Sequence, residues 1–412
     1  MYKCFVLVLL LFLSSFLFAQ QKTLDFYLHQ AYQNSPLLQD YASQIRSNRI
    51  DSAIVKAGYG IQVNGTSANN YAPVIHGYGY EGAITNVGNF SELITASKQF
   101  IGNGNLQNQY HAVQLASDSV RIAAKISEQD IQKTITQQYI AAYGSWQQYS
   151  FNKEVYDLLL KEDTILKKLT GATVYRQTDY LTFLVTLQQQ KIAVSQARLQ
   201  LQNDYAQLNY LAGIFDTTFQ SLAVPELQVA NILPPDYTIY YQQFRIDSLL
   251  LQNEQARIDY YYKPKLNAYV DAGYVSTLTY QPYRNFGTSF GLNLTVPIYD
   301  GGQRKMQHSK INIAEQTRQH YRDFFQIQYN QLVAQLMQQL HSTQQLIDES
   351  TAQLKYVEGL IQANRKLLAS GDVRIADYVI AINNYLNAKN IITQNTINKL
   401  QLITQINYWN KR

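Results

Sequence analysis

Hydrophobic residues recur every seven positions through the C-terminal part of the chain: Val333, Leu340, Ile347, Leu354, Ile361 and Leu368. Branched aliphatics on six successive heptads predict a coiled-coil seam, a stronger pattern than an ordinary amphipathic helix. The stretch 303–368 has no proline, and its one glycine is Gly359. Roughly 65 helical residues would extend about 100 Å, far more than a single globular domain needs. The pattern breaks at "LASGDV", where Gly371 is the expected helix-ending residue. It resumes from Asp377 to about Tyr408, so the segment reads as a long helix, a tight turn and a return helix.

The first half repeats this plan. A proline-free helical pattern runs from about Asn105 to Leu169, Gly171 is expected in the turn, and the return helix runs from about Asp179 to Leu211. "LNYL" at 208–211 matches "INYW" at 406–409, and Asp179 precedes Asp377 by 198 residues, as Asn209 precedes Asn407. A shared offset over turn and helix end predicts an internal duplication.

Period-2 alternation marks strands ahead of the second hairpin. In 286–298, Phe290, Leu292, Leu294, Val296 and Ile298 alternate with Gly291, Asn293, Thr295 and Pro297; 265–275 alternates through Leu266, Ala268, Val270 and Ala272. Each predicts one apolar and one polar face. The counterparts at 60–68 and 90–100 alternate less cleanly and are assigned mainly by position. Loops 69–88 and 277–285 are rich in Tyr, Gly and Asn, and a linker around "LPPDY" separates the repeats. The predicted organisation is a first repeat at 21–213, a linker at 214–238 and a second repeat at 239–412. Each repeat reads helix, strand, strand, long helix, turn, long helix. Four strands cannot close a membrane barrel, whose smallest members have eight. Several chains would have to contribute, since an exposed apolar sheet is otherwise an aggregation site.

Composition changes this picture at the N-terminus. "MYKCFVLVLLLFLSSFLFAQ" has one charge, Lys3, then an apolar run ending in small and polar residues, which predicts a signal peptide over 1–20. Cys4 stands at the front of that run, so no lipid anchor is expected. Without that segment the chain has no cysteine, and 33 basic against 29 acidic residues leave a net charge of +4. The charges are interspersed without a basic run, so no nucleic-acid partner is expected. No later stretch reaches the roughly 18 apolar residues of a membrane helix, which leaves closed strands as the way across a bilayer. The six histidines are too scattered in sequence to pair as ligands. No G-x-S-x-G or G-x-x-x-x-G-K motif occurs, and Asp300-Gly301-Gly302 reads as a turn. No cofactor, metal or enzymatic activity is expected. The competing class is a periplasmic or surface coiled-coil scaffold without a pore, which would not need strands with an apolar face.

"NSPLL" at 34–38, "KPKLNAYVDAGY" at 263–274, "PIYDGG" at 297–302 and "SGDVRIADYVIAINNYLNAKN" at 370–390, in this order and with the duplication, resemble the TolC-like outer membrane efflux proteins. The resemblance implies a mixed, mainly α fold in a homotrimer. Four strands per chain would join a 12-stranded barrel in the outer-membrane lipid of a Gram-negative bacterium. Paired helical hairpins would form a periplasmic tunnel whose turns meet a periplasmic adaptor (membrane fusion) protein of an inner-membrane transporter. The implied function is the exit duct of a tripartite efflux or type I secretion system. The family's acidic ring at the tunnel tip maps, six residues after Gly371, onto Asp377. Its second acid is replaced by Ile380, and its basic residue by Val373 with Arg374 adjacent. One ring of Asp377 carboxylates is therefore expected, with Asp372 and Arg374 as candidates for a tie between hairpins. Asp377 and Asp179 are equally readable as residues capping the starts of their helices. Gly171, Thr178, Asp179 and Gly371 are the candidates for adaptor contact.

Overall fold

The computed structural model describes residues 22–81, 84, 88–216 and 218–412; the expected signal peptide lies outside them. The helices are α1 (Leu24–Asn34), α2 (Pro36–Gly58), α3 (Asn103–Gly171), α4 (Gln177–Ala212), α5 (Ile239–Tyr261), α6 (Gln303–Ser370) and α7 (Ile375–Trp409). The strands are β1 (Gln62–Tyr71), β2 (Gly88–Phe100), β3 (Lys265–Ser276) and β4 (Phe286–Thr295). The chain is mainly helical, with long hairpins and one antiparallel sheet.

Two compact units emerge. One combines Lys125–Ile239 and Phe325–Arg412 with the N-terminal residues up to Gln39; the other combines Asp40–Ala124 with Tyr240–Phe324. Both halves of the sequence duplication contribute to each unit.

The first unit holds the hairpin turns and the greater part of the hairpin helices. All six residues of the α6 seam are buried or half-buried, with Leu368 fully enclosed. A second row three residues on completes the seam: Leu336, Thr343, Ser350 and Val357 are all buried. Periodicity of apolar residues misses this row because Thr and Ser occupy two of its four positions, where small side chains let helices approach closely. The largest core brings all four hairpin helices together through Phe151, Leu159, Phe183, Ile361, Leu368 and Ile382. Tyr139 straps the linker, donating its hydroxyl to the carbonyls of Lys22 and Ala223 at 3.0 and 2.7 Å. Asn407 and Asn410, at the end of α7, hold the linker through Gln228, Ala230 and Asn231 carbonyls. Gly213 closes α4 in the left-handed region at φ 70°, and the Ile214 N–H reaches back to the Asn209 carbonyl at 2.8 Å.

The second unit holds the sheet, whose order is β1-β2-β3-β4 with every neighbour antiparallel. Two strand ends differ from expectation. β1 runs on to Tyr71 through Asn69 and Asn70, residues whose polarity reads as loop; pairing with β2 as far as Tyr71↔Gly88 supplies the backbone partners that override composition. β4 stops at Thr295 instead of reaching 298, because Pro297 has no N–H to offer a ladder. The "PIYDGG" segment then turns the chain into α6. Gly301 and Gly302 both take left-handed φ, at 67° and 82°. The Asp300 carboxylate accepts the N–H groups of Arg304 and Gly302 at 2.7 and 2.9 Å. The Arg304 N–H is the main influence holding the Asp300 carboxyl below the usual carboxylate range. Both glycines and the aspartate therefore have a local structural reason.

Candidate functional site

Two regions carry the candidate chemistry: the paired hairpin turns and the two-faced sheet.

The turn between α6 and α7 is a Schellman closure. Gly371 sits at φ 84°, its N–H bonds the Leu368 carbonyl at 3.3 Å, and the Asp372 N–H bonds the Leu367 carbonyl at 2.9 Å. The turn between α3 and α4 has the same pattern, shifted from its expected place. Gly171 remains the last residue of α3 with open space around it, and Thr173 takes the left-handed position at φ 67°. The Thr173 and Val174 N–H groups bond the Thr170 and Leu169 carbonyls, each at 3.0 Å. The offset of 198 explains the shift: it pairs Thr173, not Gly171, with Gly371. A β-branched residue thus stands where its duplicate has glycine.

The two turns touch. A Cβ on Gly371 would lie 2.7 Å from Val174 Cγ1. The Tyr175 hydroxyl, from the first turn, donates to the carbonyls of Leu368 and Val373 at 2.9 and 3.0 Å. Burial is the main influence raising the Tyr175 hydroxyl above its ordinary range, with the Asp372 charge adding to it. Behind the turns, Glu162 of α3 is 1 % exposed and its Oε1 lies 2.6 Å from Arg365 Nε of α6. The contact is ionic rather than an aligned hydrogen bond. Among the described residues the enclosed Tyr378 hydroxyl has no hydrogen-bond partner; burial first, then the Glu162 charge, pushes it well above the usual tyrosine range.

The charged residues at the tip are arranged differently from expectation. The N-cap positions just before α4 and α7 are held by Arg176 and Arg374, and neither makes a side-chain cap. Asp179 and Asp377 lie three residues later, in the first helical turn, where a carboxylate complements the dipole without being the cap. Arg374 grips Asp377 with both arms, Nε to Oδ2 at 2.9 Å and Nη2 to Oδ1 at 3.0 Å. That bidentate bond is the largest influence raising the Arg374 guanidinium, and the Asp179 charge of the other hairpin also reaches it. Asp372 instead accepts from the Ser370 hydroxyl at 2.6 Å. Arg374 is one helical turn from Asp377, the spacing at which side chains on a helix meet. Thr178 is exposed and its carbonyl accepts the Thr182 hydroxyl at 3.1 Å.

The sheet has one mainly apolar face and one mainly polar face. One face carries Val63, Ile94, Ala96, Phe100, Leu266, Ala268, Val270, Ala272, Phe290, Leu292 and Leu294, aligned by pairs such as Ala96↔Val270 and Val270↔Phe290. Much of it is open: Phe290 is 87 % and Leu292 73 % exposed. Two charges interrupt this face, Lys98 and Glu92; the Glu92 carboxylate accepts from Ser67 Oγ and Asn69 Nδ2 at 2.7 and 2.8 Å. The opposite face is polar, with rows such as Asn64–Thr95–Asp271–Ser289 and Gln62–Ser97–Tyr269–Gly291. Tyr269 lies across Gly291, where a Cβ would meet its ring at 2.7 Å. β1 and β4 are edges without strand partners within this sheet. Among the described residues no helix is long and apolar enough to cross a membrane, and no three His, Cys, Asp or Glu side chains converge to hold a metal.

No family model and no curated protein matches the sequence. Solved structures do match. CusC, whose structures describe folding and transmembrane channel formation, superposes with a TM-score of 0.79 over 95 % of this chain and 93 % of its own, at 13 % identity. The outer membrane protein VceC from Vibrio cholerae gives 0.74 over 94 % and 96 %, at 11 % identity. The outer membrane channel CmeC of Campylobacter jejuni gives 0.72 over 94 % and 86 %, at 14 % identity. The chain has the fold of these outer-membrane channel proteins along nearly its whole length.

Proposed function

We propose, from the fold shared with outer-membrane channels, that this protein is a passive exit duct in the outer membrane of a Gram-negative bacterium. Three copies close their sheets edge to edge into a 12-stranded barrel, and the helical hairpins continue it as a tunnel in the periplasm. Substrate arrives from an inner-membrane transporter through a periplasmic adaptor, in efflux or type I secretion. The observation that carries the reading is the four-stranded sheet with one exposed apolar face, one polar face and two unpaired edges. Such a sheet is stable only when lipid covers the apolar face and further strands cover the edges. A coiled-coil scaffold has no use for it.

The paired turns are the surface offered to the adaptor, with Gly171, Thr178, Asp179 and Gly371 in that region. Asp377, Asp372 and Arg374 narrow the tunnel mouth. The bidentate Arg374–Asp377 pair makes this mouth closer to neutral than a bare carboxylate ring. The test is the native mass of the mature chain purified in detergent from the outer-membrane fraction. A trimer is expected. A monomer in the soluble periplasmic fraction would sink the duct and favour the scaffold.

A further inference from the structure

The polar face of the sheet is almost free of charge. On β1 it presents Gln, Asn, Thr and Ala, on β2 Asn, Ser, Leu, Thr and Gln, and on β4 Gly, Ser, Asn and Thr. Among its strand residues the acidic and basic side chains are Lys265 and Asp271, both on β3. They differ in position and surroundings. Lys265 opens the strand, with its ammonium 4.2 Å over the Tyr261 ring. Asp271 lies at mid-strand, six residues and roughly 20 Å further along. That separation exceeds the screening length of about 8 Å at physiological salt. Among the described residues its only hydrogen-bond donor is neutral: the Ser289 hydroxyl lies 2.9 Å from each carboxylate oxygen. Thr95 and Ser289 face it from the neighbouring strands, and neither is charged.

We infer that Asp271 sets the charge preference of the duct, making its barrel favour cations. The inference rests on the proposed trimeric duct, in which the polar face lines the lumen and Asp271 recurs three times at one level. Like-charged groups on a confined, otherwise neutral wall raise the local concentration of counter-ions and exclude co-ions. Asp377 does not serve this purpose, because Arg374 at 2.9 and 3.0 Å cancels it within the same chain. The substrate class this wall disfavours is small anions. Neutral, hydrogen-bonding solutes meet amides and hydroxyls over the rest of the face.

The experiment is the reversal potential of single channels of the full-length protein in a planar bilayer under a potassium chloride gradient. The wild-type channel is expected to pass potassium in preference to chloride. Asp271→Asn, nearly isosteric and able to keep the Ser289 contact, brings the permeability ratio close to one, and Asp271→Lys inverts it. Asp377→Asn leaves the ratio near its wild-type value or lowers it slightly. Intact conductance with an unchanged reversal potential in both Asp271 variants overturns the inference alone, as does a loss of preference confined to Asp377→Asn. A wild-type protein that inserts but never conducts overturns the duct reading and the inference with it.

Discussion

The two hairpin turns close in the same geometry with different residues. Both place one residue in the left-handed region and bond the next N–H back across the last helical turn. At φ 84° Gly371 does this without a Cβ penalty; at φ 67° Thr173 does it against one. The left-handed conformation costs an L-residue about 1–2 kcal/mol, more for a branched side chain. The second turn is therefore the relaxed member of the pair and the first the strained one. Tyr175, beside Thr173, supplies the compensation. It extends from the strained turn and bonds two carbonyls of the relaxed one, so the first turn is held in place by the second. The lesson is that a duplicated structure tolerates sequence divergence where one copy can support the other.

This comparison can be broken at several points. The largest effect is expected from Arg365→Met, which leaves the enclosed Glu162 of the first hairpin without its counter-charge. A loss of about 3 kcal/mol, the low end for uncovering a buried partner, should appear in thermal melts followed by helical circular dichroism. Charge-neutral Glu162→Gln made together with Arg365→Met should recover much of it. Next is Gly371→Ala. It puts a Cβ in a left-handed position and within 2.7 Å of Val174 Cγ1, for an expected loss of about 2 kcal/mol. Val174→Ala in the same chain should return the part due to the clash.

Tyr175→Phe removes the donor that joins the turns while keeping the ring. About 1 kcal/mol of stability should go, and amide exchange should quicken at Gly371 and Asp372 more than at Thr173 if the support is local. The smallest effect has the opposite sign. Thr173→Gly relieves the strain but loosens the unfolded chain, so a net gain of about 0.5 kcal/mol is expected. A loss of stability in Thr173→Gly would show that the threonine hydroxyl, which bonds the Ala172 carbonyl at 2.6 Å, outweighs the backbone strain.

Heptad spacing and alternation made the long helices and the sheet legible, and the 198-residue offset paired them into repeats. The polar half of the α6 seam was not legible, because Thr343 and Ser350 are buried by their neighbours and not by their own hydrophobicity. Of the tip residues, Gly371 was placed correctly as a helix-ending turn by its chemistry. Gly171 misled, since glycine is favoured in a left-handed turn but not required there. The duplication's own register was the better guide. The Arg374–Asp377 pair was readable in principle from its i, i+3 spacing on a first helical turn.

The sequence by itself determined the periodicities, and through them the element types, their order and the split of each strand into two faces. These are local properties, since side-chain spacing on a helix or strand follows from backbone geometry alone. Only the tertiary structure decided what faces Asp271 from the neighbouring strands. Asp271 stands between Val270 and Ala272 in sequence, and Asp377 between Ala376 and Tyr378. The Ser289 hydroxyl that meets Asp271 comes from the adjacent strand, while the arginine that grips Asp377 lies one turn away on the same helix. The effect of a charge depends on what lies within a few ångströms of it, and that is settled by which elements the fold brings together.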